Sequence, residues 1–490
     1  MHEYDARKLI ESNPVLKKEL QQQLEPKRYK LSEIGLAERF VDKFGKNVRY
    51  CRQWSKWLIW SGRHWQIDLT GEVERMAKAT IRGIYDELNS IESEDERTAL
   101  ARFAAKSETS RSVNAMIELA KSESGIPILS DDLDSDIWLL NCMNGTLNLG
   151  TYELKPHDRN DYITRLIRVE YDSTADFEEW ARFLTQIMNE NQGLIVFLQR
   201  AIGYSLTGST REQCLFMPYG SGANGKSTFL EVIADMLCEY AERCPTDTLM
   251  QKNASGISND IAMLKGSRFV VASEVEQGRK MAESLVKQMT GQDKISARFM
   301  RAEFFSFKPT FKLWIGTNHK PTISGADNAI WRRIKLLPFN VVIPPEERDK
   351  ELPEKLRKEL PGILNWAVMG CKDWLDNGLG EPEEVTKATD GYRAEMDVIT
   401  RFLDDTCTTS TQRCTKSSDL YNRFKDWARE NGEYQISNKV FSIRMQEKGF
   451  KKIERSVGNF WEGIMIEDNG PDNDIPFKVQ SDNKGISTPS

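Results

Sequence analysis

A chain of 490 residues exceeds one ordinary core and, at roughly 100 to 200 residues per domain, predicts about three domains. Its 68 Lys plus Arg against 74 Asp plus Glu, with 39% hydrophobic and 29% charged residues, is ordinary globular composition and excludes wholesale disorder. The formal net charge of -6 also excludes nonspecific coating of a polyanion, so any nucleic-acid contact must come from local basic clusters.

In chain order, residues 1–48 read as a helical segment: Leu31-Ser32-Glu33 is a start signal, and Leu36, Phe40, Val41 and Phe44 share a face before Gly45. Residues 49–177 read as an α+β domain. It opens with Trp54, Trp57, Trp60 and Trp65 around Ser61-Gly62-Arg63-His64, a hairpin whose rings either pack on one another, the favoured reading, or offer a platform for bases. Helical spacing of Ala77, Ile81, Ile84, Tyr85 and Leu88 follows, and Asn144-Gly145 predicts a tight turn between Leu140 and Leu147. Asp132 and Asp134 resemble an acidic metal pair, but with no histidine nearby a solvated loop is expected.

Residues 178–345 alternate strand and helix signals, 346–395 read as a helical linker or lid punctuated by Leu360-Pro361-Gly362, and 467–490 as a disordered tail. Within 396–466 the apolar spacing predicts three helices, around Phe402, Phe424 and Phe441, then strands over 450–455 and 460–466 joined at Gly458-Asn459. That is a winged-helix order. Lys439, Arg444 and Lys448 on its third helix, with Lys451, Lys452 and Arg455 in the wing, are candidate contacts to duplex DNA, although such domains also bind proteins.

The chemistry centres on GSGANGKS at 220–227, a full match to GxxxxGK[ST]. Cys214 to Met217 read as a buried strand entering it, and Phe229, Leu230, Ile233, Met236 and Leu237 as one face of a helix leaving it. Glycines let backbone N–H groups converge on phosphate oxygens while the positive helix end faces the same anion. Gly220, Gly222, Ala223, Asn224, Gly225, Lys226, Ser227 and Thr228 are therefore the expected ATP-binding residues, with Lys226 on the β and γ phosphates and Ser227 on Mg²⁺.

A short apolar strand over 268–272 ends in Ser273-Glu274-Val275-Glu276. A carboxylate there can polarise water and support Mg²⁺, so Glu274 is the expected catalytic and metal-supporting residue, with Glu276 in reserve. A second buried strand over 311–315 leads to Asn318, a candidate γ-phosphate sensor. Arg332 and Arg333 open a further strand and could neutralise charge on a transferred phosphoryl group. Residues 287–312 carry Lys287, Lys294, Arg298, Arg301, Lys308 and Lys312 against only Asp293 and Glu303, a basic cluster suited to phosphates.

Together GSGANGKST (220–228), VVASEVE (270–276), KQMTGQDKISARFM (287–300), KLWIGTNHKP (312–321) and WRRIKLLPF (331–339) resemble the superfamily 3 helicases, and more narrowly the helicase half of phage and plasmid primase-helicases related to the poxvirus primase-helicase. A looser resemblance extends over the preceding domain. The resemblance implies a multidomain α/β protein with an AAA+ type P-loop ATPase core, and a homo-oligomeric, hexameric ring that uses ATP and Mg²⁺ to translocate on single-stranded DNA and unwind forked DNA. It also implies a hairpin projecting into the ring's channel, which makes Arg301 the first DNA contact with Arg298 behind it. Two features depart from the pattern: Ser273-Glu274 stands where many such ATPases have Asp-Glu, and no polymerase-type primase domain or zinc ribbon is recognisable, so a separate primase or replication factor is the expected partner.

The longest apolar run, Leu194 to Leu198, falls far short of the ~20 residues a bilayer span needs. With an acidic N-terminus and eight scattered cysteines lacking a CxxC pair, the expectation is a protein of the host cytosol with no membrane partner and no zinc site. The expected activity is helicase action in replication of a phage or mobile element. The alternatives are an ATP-binding replication initiator that does not translocate, and an ATP-driven scaffold or defence ATPase.

Overall fold

The computed structural model describes residues 28–251, 259–273, 275–299, 303–323, 328–433 and 435–467. The helices expected within 1–27 and the tail beyond Glu467 lie outside the described residues. By its contacts the chain divides into two units, one ending at Asp172 but including Cys238–Tyr240, the other formed by the remainder from Ser173 on.

The first unit begins with helix α1 (Glu33–Phe44), started where Ser32 Oγ accepts the Gly35 N–H at 3.2 Å. Strands β1 (Val48–Cys51), β2 (Lys56–Trp60) and β3 (Trp65–Ile67) form an antiparallel meander, and β4 (Pro127–Ile128) joins β1 in parallel. Helices α2 (Glu72–Glu87), α3 (Glu94–Ser107) and α4 (Ser110–Ala120) bury Ile81, Ile84, Leu100 and Met116 with Leu36 and Phe40 in one core. The tryptophan hairpin is core: Trp65 is fully buried, its ring 5.7 Å from Trp60, and its indole N–H donates to Arg159 O. Trp57 packs on Phe40 and Tyr50.

Strands β5 (Leu139–Cys142) and β6 (Gly145–Asn148) pair through the turn at Asn144-Gly145, and β7 (Leu154–Lys155) completes a small sheet. Asp134 accepts the Thr164 N–H and hydroxyl, and Asp132 accepts the Leu129 N–H, so both carboxylates fasten loops. Among the described residues no group of three or more His, Cys, Asp or Glu side chains is arranged to hold a metal ion.

The second unit is built on a five-stranded parallel sheet in the order β14-β8-β13-β10-β9. Helices α5 (Glu178–Ile187) and α6 (Gln192–Leu206) precede β8 (Leu215–Tyr219); helix α7 (Lys226–Leu237) and β9 (Ala241–Arg243) follow it. Then come β10 (Phe269–Ser273), helix α8 (Glu283–Met289), the hairpin of β11 (Ile295–Ala297) and β12 (Phe305–Phe307), β13 (Lys312–Gly316) and β14 (Ile334–Pro338). Central strands buried on both faces read as continuous apolar runs. Phe216 on β8 and Trp314 on β13 stack across the sheet at 4.5 Å, worth about 0.5–1.5 kcal/mol beyond area burial.

Helix α9 (Leu360–Asn377) crosses α6 where glycines allow close approach: a Cβ on Gly203 would meet Cys371 N at 2.0 Å, and one on Gly370 would meet Gln199 O at 2.1 Å. Leu360-Pro361-Gly362 punctuate the chain as expected: a helix over Leu352–Lys358 ends at Glu359, which also caps the start of α9. Proline sits in the first turn of α9, where its missing N–H is harmless, and Gly362 is packed against Asp176 O.

Helix α10 (Glu383–Met396) leads to a C-terminal cluster of α11 (Val398–Thr406), β15 (Cys407–Lys416), α12 (Ser417–Glu430), α13 (Asn438–Glu447), β16 (Lys452–Arg455) and β17 (Gly458–Ile466). Ile399, Phe402, Phe424, Phe441 and Trp461 form its core. Strand β15, not anticipated from the sequence, pairs with β17, with an irregularity in register between Thr409 and Cys414. None of the described helices is long and apolar enough to cross a membrane.

Candidate nucleotide-binding site

All five strands of the parallel sheet point the same way, so the C-terminal ends of β8, β13 and β10 share one edge, the usual ligand edge of such sheets. The loop after β8 is held there by backbone conformations that few residues tolerate. Gly222 and Gly225 have φ of +105° and +80°, and Ala223, at +52°, accepts the Ile343 N–H at 2.8 Å. A Cβ on Gly220 would come 2.2 Å from Phe339 O, and one on Gly225 2.5 Å from Ile187 Cγ2. Glycine at 220 and 225 is thus a packing requirement as well as a way of bringing backbone N–H groups up to an anion.

Asn224, only 2% exposed, fastens the loop from inside. Its amide N–H donates to Phe339 O at 3.0 Å and its Oδ1 accepts Lys226 Nζ at 3.2 Å. Lys226 also donates to Gly220 O and to Asn318 Oδ1, both at 2.8 Å. Asn318 reaches it because Thr317 N donates to Pro218 O, extending the pairing of β13 with β8, while Thr317 and His319 bond each other across the turn. Burial pulls the Lys226 ammonium below its ordinary range, since it has given up water for three neutral oxygens. A polyphosphate would supply the negative charge those oxygens lack. Ser227 is exposed at the first turn of α7, where its hydroxyl could serve a cation beside a bound phosphate, and Thr228 is half-buried next to it.

The other expected residues fall out unevenly. Glu274 lies outside the described residues; its neighbour Ser273 ends β10 on the loop's edge of the sheet. Glu276 is exposed and 3.7 Å from Arg279, which also bonds Asp247 at 2.6 Å. The two arginines before β14 separate: Arg333 is buried, donating to Ala329 O and Gln213 Oε1, whereas Arg332 is exposed. Arg333 is thus held within its own chain, and Arg332 is the more accessible of the two.

The basic stretch also needs correcting. Lys312 is buried inside the unit, donating to Thr207 O, Ser209 O and Thr310 O, with its ammonium 4.7 Å from the Tyr204 ring. It ties down the chain leaving α6 and is no DNA contact. Arg298, Lys294 and Lys308 are exposed on and beside the hairpin, and Arg301 lies outside the described residues. In the C-terminal cluster Lys439 is exposed and Arg444 half-buried, but Lys448 is paired with Asp397 at 2.6 Å. The hairpin's exposed phenylalanines, Phe299 and Phe304, were not singled out in the sequence; their signal was two aromatic residues where a solvent-facing turn is normally polar.

Comparison with known proteins bears on the whole arrangement. Residues 37–189 match a family model described as D5 N terminal like, residues 394–476 one described as Poxvirus D5 protein-like, and residues 219–333 a family of unknown function. A protein of Acanthamoeba polyphaga mimivirus with a provisional helicase name is 26% identical over 325 residues, covering 61% of this chain and 34% of that protein. One of Frog virus 3, also provisionally named a helicase, is 25% identical over 311 residues, covering 59% of this chain and 30% of that protein. A provisional primase of African swine fever virus is 23% identical over 214 residues, 41% of this chain and 22% of its own length. The chain thus spans about a third or less of these relatives. The C-terminal region of NrS-1 superposes with a TM-score of 0.47 at 9% identity over 87% of this chain and 98% of that one, too loose a likeness to carry an argument.

Proposed function

We propose that this chain, whose residues 37–189 and 394–476 match D5-type family models, is an ATP-dependent DNA helicase of superfamily 3 type, acting in replication of a virus or mobile element as a homo-oligomeric, hexameric ring. The single observation that carries this reading is the buried Lys226 ammonium, held on the ligand edge of the sheet by Gly220, Asn224 and Asn318 oxygens, with no carboxylate bonded to it among the described residues. The strand order, with β8 between β14 and β13, supports an AAA+ type core, and the helix–strand–helix–helix–strand–strand order after Met396 supports a winged-helix domain.

In this mechanism Lys226 and the loop N–H groups grip the β and γ phosphates of ATP. Ser227, with Glu274 in support, would hold Mg²⁺, which when bound would neutralise charge on those oxygens. Glu274 orients a water and takes its proton as the water oxygen attacks the γ phosphorus; the bond to the bridging oxygen breaks and ADP leaves. Asn318, already on Lys226, exchanges that bond for the γ-phosphate. Arg332 acts in trans. The register Ile334↔Leu215 to Pro338↔Tyr219, which separates it from its own loop by roughly 20 Å at ~3.3 Å per residue, supports a role toward a neighbouring copy's phosphates rather than its own.

Arg298 and Arg301 on the hairpin are the proposed single-strand contacts, Lys439 and Arg444 those of the C-terminal domain, with a separate primase or replication factor as partner. The test is displacement of a labelled strand from a forked duplex. Wild type should displace it with ATP and Mg²⁺ and Lys226→Ala should not. An initiator that uses ATP only to assemble would bind the fork and displace nothing.

A further inference from the structure

Between Asn318 and the next paired backbone, at Thr322, stand three residues that the proposed reaction does not use. The turn is tied at both ends: Thr317 N donates to Pro218 O at 3.0 Å, and Thr322 donates to Arg279 O at 2.7 Å while accepting the Met281 N–H at 2.9 Å. Asn318 and His319 are exposed between these ties, whereas Lys320 is half-buried and Pro321 buried, and both meet helix α10. Lys320 Nζ donates to both carboxylate oxygens of Glu395 at 2.8 Å, and its side chain is only 15% exposed. The same ammonium stands over two rings, 4.8 Å from the centroid of Tyr219 and 5.5 Å from that of Tyr392. Tyr219 ends β8 directly before the phosphate loop, and the buried Tyr392 donates its hydroxyl to Pro321 O.

An ion pair open to water contributes little, because solvent screens it and two long side chains lose freedom. Here the cation is largely withdrawn from water and attracted by two ring faces, so it holds one place. We propose that Lys320 is a positioning residue of the nucleotide site: pinned to Glu395 over Tyr219 and Tyr392, it fixes the turn from which Asn318 reaches Lys226 and then the γ-phosphate. Without the pin the turn keeps its two end ties and loses its middle one, and the Asn318 amide strays from the phosphoryl group. A misplacement of ~1 Å can cost on the order of 10²-fold in rate. Binding would be spared, since Lys226 and the loop N–H groups still grip the nucleotide. This role rests on the proposed ATP hydrolysis with Asn318 as γ-phosphate sensor, and it adds α10 to the site as the support of that sensor.

The experiment measures steady-state ATP hydrolysis by the full chain with Mg²⁺, with single-turnover hydrolysis for the slow variants. Lys320→Met should lower kcat about tenfold or more while KM stays within about twofold. Lys320→Arg, which can still bond a carboxylate and stack on the rings, should keep most of the rate. Glu395→Ala, at a half-exposed side chain outside the core, should reproduce the Lys320→Met loss. Asn318→Ala/Lys320→Met should be no slower than Asn318→Ala alone, since a residue that works through Asn318 then has nothing left to position. Full rate in Lys320→Met or Glu395→Ala, a loss confined to KM, or losses of Asn318→Ala and Lys320→Met that multiply would overturn the positioning role. The same assay keeps the two claims apart. Wild type that hydrolyses no ATP, or Asn318→Ala at the wild-type rate, sinks the nucleotide site as proposed and the role of Lys320 with it; a slow Asn318→Ala beside a fast Lys320→Met sinks only the role of Lys320.

Discussion

Lys226 and Lys312 are both buried lysines of one unit, and their partners give them opposite roles. Lys226 stands at the ligand edge against two side-chain amides and one loop carbonyl, whereas Lys312 is surrounded by the carbonyls of Thr207, Ser209 and Thr310 with the Arg268 guanidinium nearby. Burial, and then the Arg268 charge, push the Lys312 ammonium well below its ordinary 10.5. With the folded value depressed, the unfolded chain binds more protons, and stability from this site rises with pH up to the unfolded value near 10.5. Wild type should therefore gain stability over Lys312→Met between about pH 7 and pH 9.5, by at most ~1.4 kcal/mol per pH unit, read from urea midpoints. A difference that stays flat or shrinks would contradict the assignment, as would a change in the salt dependence of oligonucleotide binding. The strand, glycine-rich loop and helix over 215–237 were legible because their signals are local to that stretch. Lys312 and Arg333 were not: a lysine entering a strand and an arginine beside Arg332 read alike whether they face water or a carbonyl across the fold.

At the scale of elements, the α6–α9 crossing supports the sheet that carries the loop. The pair approach so closely at Gly203 and Gly370 that any side chain there must push backbone aside, and Arg200 locks the same crossing to Asp373 at 2.5 Å. Gly203→Val should cost about 1–3 kcal/mol or more of stability by overpacking, measured by urea unfolding. A variant as stable as wild type would show that the helices are free to separate. Periodicity revealed most helices and the buried strands β8, β10 and β13, since each is an apolar run with a simple period. It missed β15, where the alternation of Thr, Ser, Gln and Arg looks like a polar connection and only pairing with β17 makes a strand. The sheet order was equally invisible, because β14 reaches β8 across more than a hundred residues of chain.

For the molecule as a whole, the proposed completion of the site by Arg332 of another copy would make catalysis a property of the assembly. An arginine supplied in trans is worth about 10³ to 10⁵ in rate, so the dilute single chain should be nearly inert and specific activity should climb with concentration. The resemblance of five motifs to superfamily 3 helicases was readable because each is a short contiguous run with its own local signature. Assembly leaves no such mark within one chain.

The most direct measurement is therefore ATP hydrolysis in mixtures of Lys226→Ala and Arg332→Ala chains, each inert alone. At hybrid interfaces an intact Lys226 from one variant meets an intact Arg332 from the other. Hydrolysis should reappear on mixing and peak near equal proportions. Mixtures as inert as their components, or an Arg332→Ala chain that hydrolyses ATP at the wild-type rate, would contradict a site shared between copies.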